Sequence, residues 1–200
     1  DFVSPQGTVR DVQLGVPVDI NIENAVAAMA VCTLIGVDPE VMKSAIASFL
    51  GAKRRFEFWM KEPGEHGHVV IDDYAHHPDE LKASIRSVKD LYPHRKLTVI
   101  FQPHLYTRTR DFAPQFAEAL SMADRVILLD IYPAREAPIP GVTSEIIFKD
   151  IKCTDKVMCK KEDLLKTLKN YNFDVLLTAG AGDVCNYLPE ICAQIKGTHR

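Results

Sequence analysis

The feature that most constrains the fold is a regular alternation of strand-like and helix-like segments over residues 69–195. Short apolar runs predict strands at 69–72, 97–101, 125–130, 156–159 and 175–178. Helical periodicity predicts helices over 78–91, 109–122, 161–171 and 184–195. This alternation is typical of βαβ units, so we expect an α/β fold with a mostly parallel sheet and helices on both faces.

Residues 1–50 follow a different pattern. Residues 1–18 read as strand or turn remnants, and Asn21 is expected to cap a helix over 22–36. Asp38-Pro39 predicts the start of a second helix, which ends before Gly51. Its expected apolar face consists of Val41, Ala45, Ile46 and Phe49. Two helices without strands resemble the trailing edge of a larger domain, so we place domain boundaries at 1–50 and 51–200.

Composition and charge exclude several classes of protein. The 24 Lys and Arg against 27 Asp and Glu give a net charge of −3, which argues against a nucleic-acid partner. The longest apolar run, 25–37, is shorter than the roughly 20 residues of a membrane span. The sequence shows no basic-then-apolar leader at its start. Its five cysteines are odd in number and include no CxxC pair. We therefore expect no membrane association, free thiols and a cytoplasmic location.

Polar residues follow each predicted strand. In parallel sheets, ligands bind beyond the carboxyl ends of the strands. The segments at these positions are 72–78, 102–110, 130–136 and 179–183. One edge of the sheet is therefore predicted to gather carboxylates, imidazoles, arginines and a glycine turn.

Asp72 and Asp73 with His76 and His77 allow two interpretations. Carboxylate and imidazole groups suit a divalent metal, which would indicate a metal-dependent hydrolase. Adjacent strand residues point to opposite faces, however, and His77-Pro78 also reads as a helix entry. This pattern favours a polar ligand-binding edge over a metal site.

An anion site is predicted at the start of the helix that follows the second strand. His104, Arg108 and Arg110 lie within seven residues after that strand, where free amide donors and cations favour an anion. The glycine turn at 179–183 is more typical of tight strand-to-helix packing than of phosphate binding. No GxxxxGK[ST] phosphate-binding loop occurs in the sequence.

Three stretches carry a specific resemblance. The sequences DDYAHHPDE, FQPHLYTRTRDF and DIYPAREAPIPG resemble the Mur ligase family of peptidoglycan synthesis, in particular its alanine-adding members. NIENAVAA and GAKRRFE also resemble the corresponding stretches. The resemblance implies that residues 51–200 form the Rossmann-like carboxyl-terminal domain of such an enzyme. It also implies that residues 1–50 are the helical tail of its central ATPase domain.

The implied reaction is ATP-dependent ligation of L-alanine to UDP-N-acetylmuramate through an acyl phosphate. The resemblance implies ATP contacts and a substrate site in this chain. The implied ATP-binding residues are Asn21, Asn24, Arg55 and Asp73. The implied substrate-binding residues are Tyr74, His76, His104 and Arg108, of which His76 and Arg108 are expected to be catalytic. Magnesium is implied as a cofactor held mainly by the central domain, and no metal ligands are expected here.

Family members often carry arginine at the position of Leu105. Because this sequence has leucine there, the resemblance leaves Arg108 as the better candidate for binding the alanine carboxylate. The implied partners are the amino-terminal and central domains of the same chain. Without a phosphate-binding loop, we expect this portion to be inactive alone. Two alternatives remain: the related ligase that recycles a muropeptide tripeptide, and a nucleotide-binding module without chemistry of its own.

Overall fold

The computed structural model describes residues 1–64 and 66–197, which divide after Lys53 into two units. The amino-terminal unit contains an antiparallel pair of short strands, β1 (Phe2–Ser4) and β2 (Gly7–Val9). Two helices follow, α1 (Asp19–Leu34) and α2 (Pro39–Ser48). Its small core is formed by Phe2, Met29 and Met42.

The predicted start of α1 is wrong, and of the predicted buried face of α2 only Ile46 packs against the small core. Helix α1 begins at Asp19, and Asn21 lies in its first turn, where its Nδ2 donates to the Val16 carbonyl oxygen over 3.1 Å. Asp38 caps α2 as predicted, because its Oδ1 accepts from the Glu40 N–H at 2.8 Å. The buried residue of α2 is Met42, whereas Val41 and Phe49 are 59% and 55% exposed.

A six-stranded sheet forms the centre of the carboxyl-terminal unit. Its strands are β3 (Glu57–Lys61), β4 (Val69–Asp73), β5 (Leu97–Phe101), β6 (Arg125–Leu129), β7 (Asp155–Cys159) and β8 (Val175–Ala179). The order is β3-β4-β8-β5-β6-β7, with β3 antiparallel to β4 and all other pairs parallel. The carboxyl ends of the parallel strands therefore meet at one edge.

Helices cover both faces of this sheet, which confirms the predicted fold class. They are α3 (Pro78–Leu91), α4 (Tyr106–Leu120), α5 (Glu145–Phe148), α6 (Leu164–Leu168) and α7 (Leu188–Gly197), with 3-10 turns at 161–163 and 184–187. Alternate strand residues serve opposite faces. Phe101 packs on Phe116 of α4 with ring centroids 5.1 Å apart, while Ile100 belongs to the core beneath α6 and α7.

Differences from the predicted elements lie at the ends and in short segments. Helix α4 begins three residues earlier than predicted, at Tyr106, and the segment predicted as one helix over 161–171 is a 3-10 turn followed by α6. Strand β3 and helix α5 were not predicted. Within the described residues, no helix is both long and apolar enough to cross a bilayer.

Candidate active site

The two aspartates that end β4 have different surroundings, because adjacent residues of a strand point to opposite faces of the sheet. Asp72 is fully buried, and its carboxylate accepts from Thr178 Oγ1 at 2.6 Å and from Arg54 Nε at 3.2 Å. Burial is the largest influence on this carboxyl and raises its pKa, against the hydrogen bond from Thr178 and the charge of Arg54. Asp72 therefore serves as an internal hydrogen-bond partner of the fold.

Arg54 organises the backbone around Asp72. Its guanidinium donates to the carbonyl oxygens of Gly180 at 2.6 Å and Gly182 at 3.2 Å, and it lies 4.9 Å from the centre of the Tyr74 ring. The Tyr74 N–H donates to the Arg54 carbonyl oxygen at 2.7 Å. We call Arg54, Asp72, Thr178 and the two glycine carbonyls the Arg54 network. It ties the end of β4 to the turn after β8.

Asp73 points to the other face of the sheet, toward α3. Its carboxylate accepts from Ser84 Oγ and from the Ala75 N–H at 3.3 Å. Burial is the largest influence and raises its pKa, opposed by these two hydrogen bonds. Unlike Asp72, this residue is only partly buried, so its side chain retains access to solvent.

A cluster of rings assembles where β4, β5 and β6 end. The Tyr74 and His76 ring centroids are 5.2 Å apart, those of His76 and His104 are 6.3 Å apart, and His104 stacks on Tyr132 at 5.7 Å. Arg108 Nη1 lies 3.5 Å from His104 Nδ1. We call Tyr74, His76, His104, Arg108 and Tyr132 the histidine cluster. All four residues predicted to bind substrate belong to it.

His104 is held from both sides by the backbone around it. Residue 104 pairs with residue 132, where the Leu105 N–H donates to the Tyr132 carbonyl oxygen at 3.0 Å and the Tyr132 N–H donates to Pro103 at 2.8 Å. Burial lowers the pKa of His104, and the neighbouring charges of Arg108 and His76 lower it further. These influences favour the neutral form of the His104 imidazole beside the Arg108 guanidinium.

The start of α4 already holds an anion, which is supplied by the chain itself. Glu136 Oε2 accepts from the Thr107 N–H at 3.0 Å, and its Oε1 accepts from Thr107 Oγ1 at 2.5 Å. These hydrogen bonds from Thr107 lower the pKa of Glu136. Arg110 pairs with Asp111 at 2.8 Å on the surface, so the predicted anion site reduces to His104 and Arg108.

Leu105 precedes α4 with a φ of +69°, a region that non-glycine residues seldom adopt. Its backbone is fixed there, because its N–H bonds Tyr132 and its carbonyl oxygen accepts from the Thr109 N–H and hydroxyl. Backbone strain of this kind persists where surrounding contacts enforce it, and it concentrates at functional sites.

The glycine turn after β8 is filled by the side chain of Gln102. Gln102 Nε2 donates to Asp183 at 3.0 Å, and its Oε1 accepts from the Val184 N–H at 3.0 Å. A Cβ on Gly182 would lie 2.2 Å from Gln102 Oε1, and one on Gly180 would lie 2.4 Å from the Gln102 carbonyl oxygen. These glycines allow tight packing, which was the favoured interpretation of the turn.

The carboxylates that the structure describes at this edge are engaged with other groups of the protein. Asp72, Asp73, Glu136 and Asp183 each accept hydrogen bonds from groups of the protein. Among the described residues, no three His, Cys, Asp or Glu side chains gather in a metal-binding arrangement. Magnesium requires several oxygen ligands arranged around it, and the described carboxylates of this edge do not supply such a set.

The remaining predicted residues lie elsewhere. Asn21 and Asn24 belong to the amino-terminal unit, and Asn24 is exposed. Arg55 is also exposed, in contrast to its neighbour Arg54. Sequence reasoning missed Arg54, Tyr132 and Glu136. The segment DIYPARE carried a signal for the last two, because it follows β6 at the edge where the other polar residues meet.

Residues 54–182 match the family described as "Mur ligase, glutamate ligase domain". The chain therefore belongs to the Mur ligase family. It is 54% identical over 197 residues to a UDP-N-acetylmuramate–L-alanine ligase of Phocaeicola vulgatus, covering 98% of this chain and 42% of that protein. The corresponding ligase of Parabacteroides distasonis is also 54% identical, over 98% of this chain and 43% of its own length. The chain spans about two fifths of the length of these relatives.

Solved structures agree with this assignment. The UDP-N-acetylmuramate–alanine ligase of Thermotoga maritima superposes with a TM-score of 0.77 at 28% identity, over 92% of this chain and 40% of that one. Folylpolyglutamate synthase from the same organism gives a TM-score of 0.68 at 20% identity, over 93% of this chain and 42% of that chain. The second likeness shows a shared fold alone.

Proposed function

We propose that this chain is the carboxyl-terminal portion of an ATP-dependent ligase that joins L-alanine to UDP-N-acetylmuramate in peptidoglycan synthesis. One observation carries the proposal. The four side chains implied by the sequence resemblance, from two separate strand ends, assemble in one cluster. The 54% identity to alanine-adding ligases over nearly the whole chain supports the same conclusion.

The histidine cluster has the chemistry that a small amino acid requires. Arg108 supplies a permanent cation with a forked set of donors, which suits the carboxylate of alanine. His76 and His104 place two imidazoles beside it, and Tyr74 and Tyr132 flank them. We assign the alanine carboxylate to Arg108 and His104, and we place the reacting amino group of alanine next to His76.

ATP phosphorylates the muramoyl carboxylate in this scheme, and alanine then attacks the acyl phosphate with release of phosphate. Asn21, Asn24, Arg55 and Asp73 are the proposed ATP contacts. We further propose that residues 1–50 belong to the central ATPase domain and residues 51–200 to the carboxyl-terminal domain. The phosphate-binding loop and magnesium ligands would come from the rest of the protein, which would act in the cytoplasm.

The decisive experiment uses the complete open reading frame that contains this chain. Phosphate release from ATP and magnesium is measured with UDP-N-acetylmuramate and either L-alanine or the tripeptide L-Ala-D-Glu-meso-diaminopimelate. We expect turnover that depends on alanine. Turnover with the tripeptide alone would assign the protein to muropeptide recycling, and turnover with neither would leave a nucleotide-binding module. The present 200 residues alone should give no ligation.

A further inference from the structure

Strand β7 is one of the two edge strands of the six-stranded sheet, so one side of its backbone has no neighbouring strand. Within the described residues, the only hydrogen bond to its backbone from outside the sheet comes from Cys153 Sγ, which lies 3.3 Å from the Asp155 carbonyl oxygen. Edge strands of this kind present N–H and C=O groups with which an added strand can pair. The backbone of β7 is therefore open to another chain.

The other edge strand, β3, is protected against such pairing. Its register with β4 shifts between Phe58 and Met60, and a bulge of this kind makes an edge irregular and poorly suited to a further strand. Strand β7 instead pairs with β6 in continuous register over residues 155–159. Of the two edges of the sheet, β7 is thus the one with regular strand geometry.

Residues 149–169, which contain β7, carry a strong excess of positive charge. This segment holds 7 of the 14 lysines of the chain against 4 acidic residues, which gives it a net charge of +3. The whole chain has a net charge of −3, so the residues outside the segment carry −6. A local excess of one sign attracts a partner of opposite charge and raises its rate of association. A partner of this edge should therefore be acidic.

Two of the seven lysines are already bound within the protein. Lys156 Nζ donates to the carbonyl oxygens of Phe148 at 2.8 Å and Ile151 at 2.6 Å. Lys161 Nζ donates to Asp183 Oδ2 at 2.6 Å. The other five are exposed, and none of the ion pairs within the described residues includes them: Lys149, Lys152, Lys160, Lys166 and Lys169. We call these five residues the exposed lysines, and they remain available to carboxylates of a partner.

The exposed lysines flank β7 from both faces of the sheet. Lys149 and Lys152 lie between α5 and β7, and α5 contacts α4 on one face. Lys166 belongs to α6, whose buried residues join the core of the opposite face. A lysine that protects an edge from pairing lies within the strand and points outward. The single lysine of β7, Lys156, is bonded instead to the chain before the strand, so the positive charge surrounds an edge that it does not block.

We propose that β7 is a docking edge for an extended acidic segment of another protein, which adds to the sheet as a seventh strand and pairs its carboxylates with the exposed lysines. A second copy of this chain fits the edge less well, because its own β7 carries the same positive charge. A bilayer also fits less well, since Met158 is the only large apolar side chain exposed within residues 149–169, all of which the structure describes. Lipid would also leave the backbone groups of β7 unpaired.

The probe is a fluorescently labelled peptide, Glu-Glu-Val-Val-Val-Glu-Glu, whose anisotropy is measured with the complete protein at low ionic strength. One control peptide has proline at the centre, which removes a backbone donor, and another has lysine in place of every glutamate. We expect the acidic peptide to bind at least about tenfold more tightly than either control. Bound peptide should also slow hydrogen exchange at the amides of residues 155–159. Equal affinity for the proline peptide, or no protection of these amides, would overturn strand addition at β7.

The charges are tested by the double variant Lys160→Glu/Lys166→Glu, which should bind the acidic peptide about tenfold more weakly. The matched control is Lys96→Glu/Lys196→Glu, which changes the net charge equally at exposed lysines outside the segment and should bind within about twofold of the wild type. All four positions are exposed, so the thermal unfolding midpoints should stay alike. Equal weakening in both variants would overturn the proposal, as would a wild type that binds phosphatidylserine vesicles or a second copy of itself through β7 but not the acidic peptide.

Discussion

Two groups of polar residues at the same edge of the sheet differ in how completely their hydrogen bonds are satisfied. In the Arg54 network, the donors of Arg54 and Thr178 are used on Asp72 and on two backbone carbonyls. In the histidine cluster, each imidazole uses one nitrogen on the protein, and within the part of the chain that the structure describes the Arg108 guanidinium bonds to His104 alone. The hydrogen-bonding groups of the Arg54 network are satisfied within the protein, whereas the histidine cluster has donors and acceptors that can bind a ligand.

The difference has a physical cause. Asp72 is buried, and an unpaired carboxylate there would be costly, so every partner is supplied by the fold. His76 and His104 lie in segments beyond the strand ends, where water can complete their hydrogen bonds. Loss of an interaction in the network should therefore lower stability, whereas loss of one in the cluster should lower activity.

The largest effect on stability is expected from Arg54→Leu. This change leaves the carboxylate of Asp72 buried without its cation and removes donors from the Gly180 and Gly182 carbonyls. Breaking one side of a buried ion pair costs about 3 kcal/mol of unfolding free energy. The loss of unfolding free energy is measured by urea denaturation of the wild-type and variant proteins. In the double variant Arg54→Leu/Asp72→Asn, the loss of unfolding free energy should be smaller than in Arg54→Leu alone, because no unpaired charge remains buried. An equal loss in the two variants would show that Arg54 and Asp72 are not coupled.

The next effect falls on substrate binding. Arg108→Ala in the complete ligase should raise the alanine KM at least tenfold, because a charge-assisted hydrogen bond contributes about 1.5–3 kcal/mol. Arg110→Ala is the control, since Arg110 is paired with Asp111 at the surface, and its KM should change less than twofold. An unaltered KM for Arg108→Ala would remove Arg108 from the carboxylate site.

A smaller loss of stability is expected from Gly182→Ala. The new Cβ would lie 2.2 Å from Gln102 Oε1 and 2.9 Å from the Tyr132 Cβ, so Gln102 must move and release its hydrogen bonds to Asp183 and Val184. Overpacking of this kind costs about 2 kcal/mol. Gly197→Ala meets no atom within 4 Å and should not lower the unfolding free energy. Equal stability of both variants would refute the tight packing of this turn.

The smallest effect concerns pH. Burial, Arg108 and His76 lower the pKa of His104 below 6.5, so the folded state resists a proton that the unfolded state accepts. The unfolding free energy should therefore fall as pH drops from 6.5 through the folded-state pKa of His104. An NMR titration of the ring gives that pKa, and Arg108→Ala should move it upward. A ring that titrates at 6.5 in both proteins would contradict this.

Most of the fold could be predicted from the sequence because the strands of the parallel sheet are short apolar runs followed by periodic helices. The exact match of α3 and β5 reflects clear signals, such as Pro78 at the helix start. Strand β3 lacked such a signal, because it is a mixed edge strand with a register shift between Phe58 and Met60. The face of α2 was misjudged because a helix with apolar residues on several sides does not reveal which side is buried.

The candidate site could be predicted in part. The rule that ligands bind beyond strand ends brings His76, His104 and Arg108 together, as the structure does. Arg54 could not be separated from Arg55, since two adjacent arginines give identical local signals and only the long-range contacts of Arg54 with Asp72, Gly180 and Gly182 distinguish the two. Glu136 was missed because its partner, Thr107, is 29 residues away in sequence.

The most direct measurement compares Thr178→Val with Arg108→Ala in the complete ligase, because the first removes a hydrogen bond inside the Arg54 network and the second removes the proposed contact with the alanine carboxylate. Both the unfolding free energy and the alanine KM are measured for each variant. We expect opposite results for the two variants. Thr178→Val loses about 2 kcal/mol of unfolding free energy with an unchanged KM, whereas Arg108→Ala keeps its stability with a KM at least tenfold higher. Equal loss of stability in both variants, with KM unchanged, would contradict the division between a closed network and an open site.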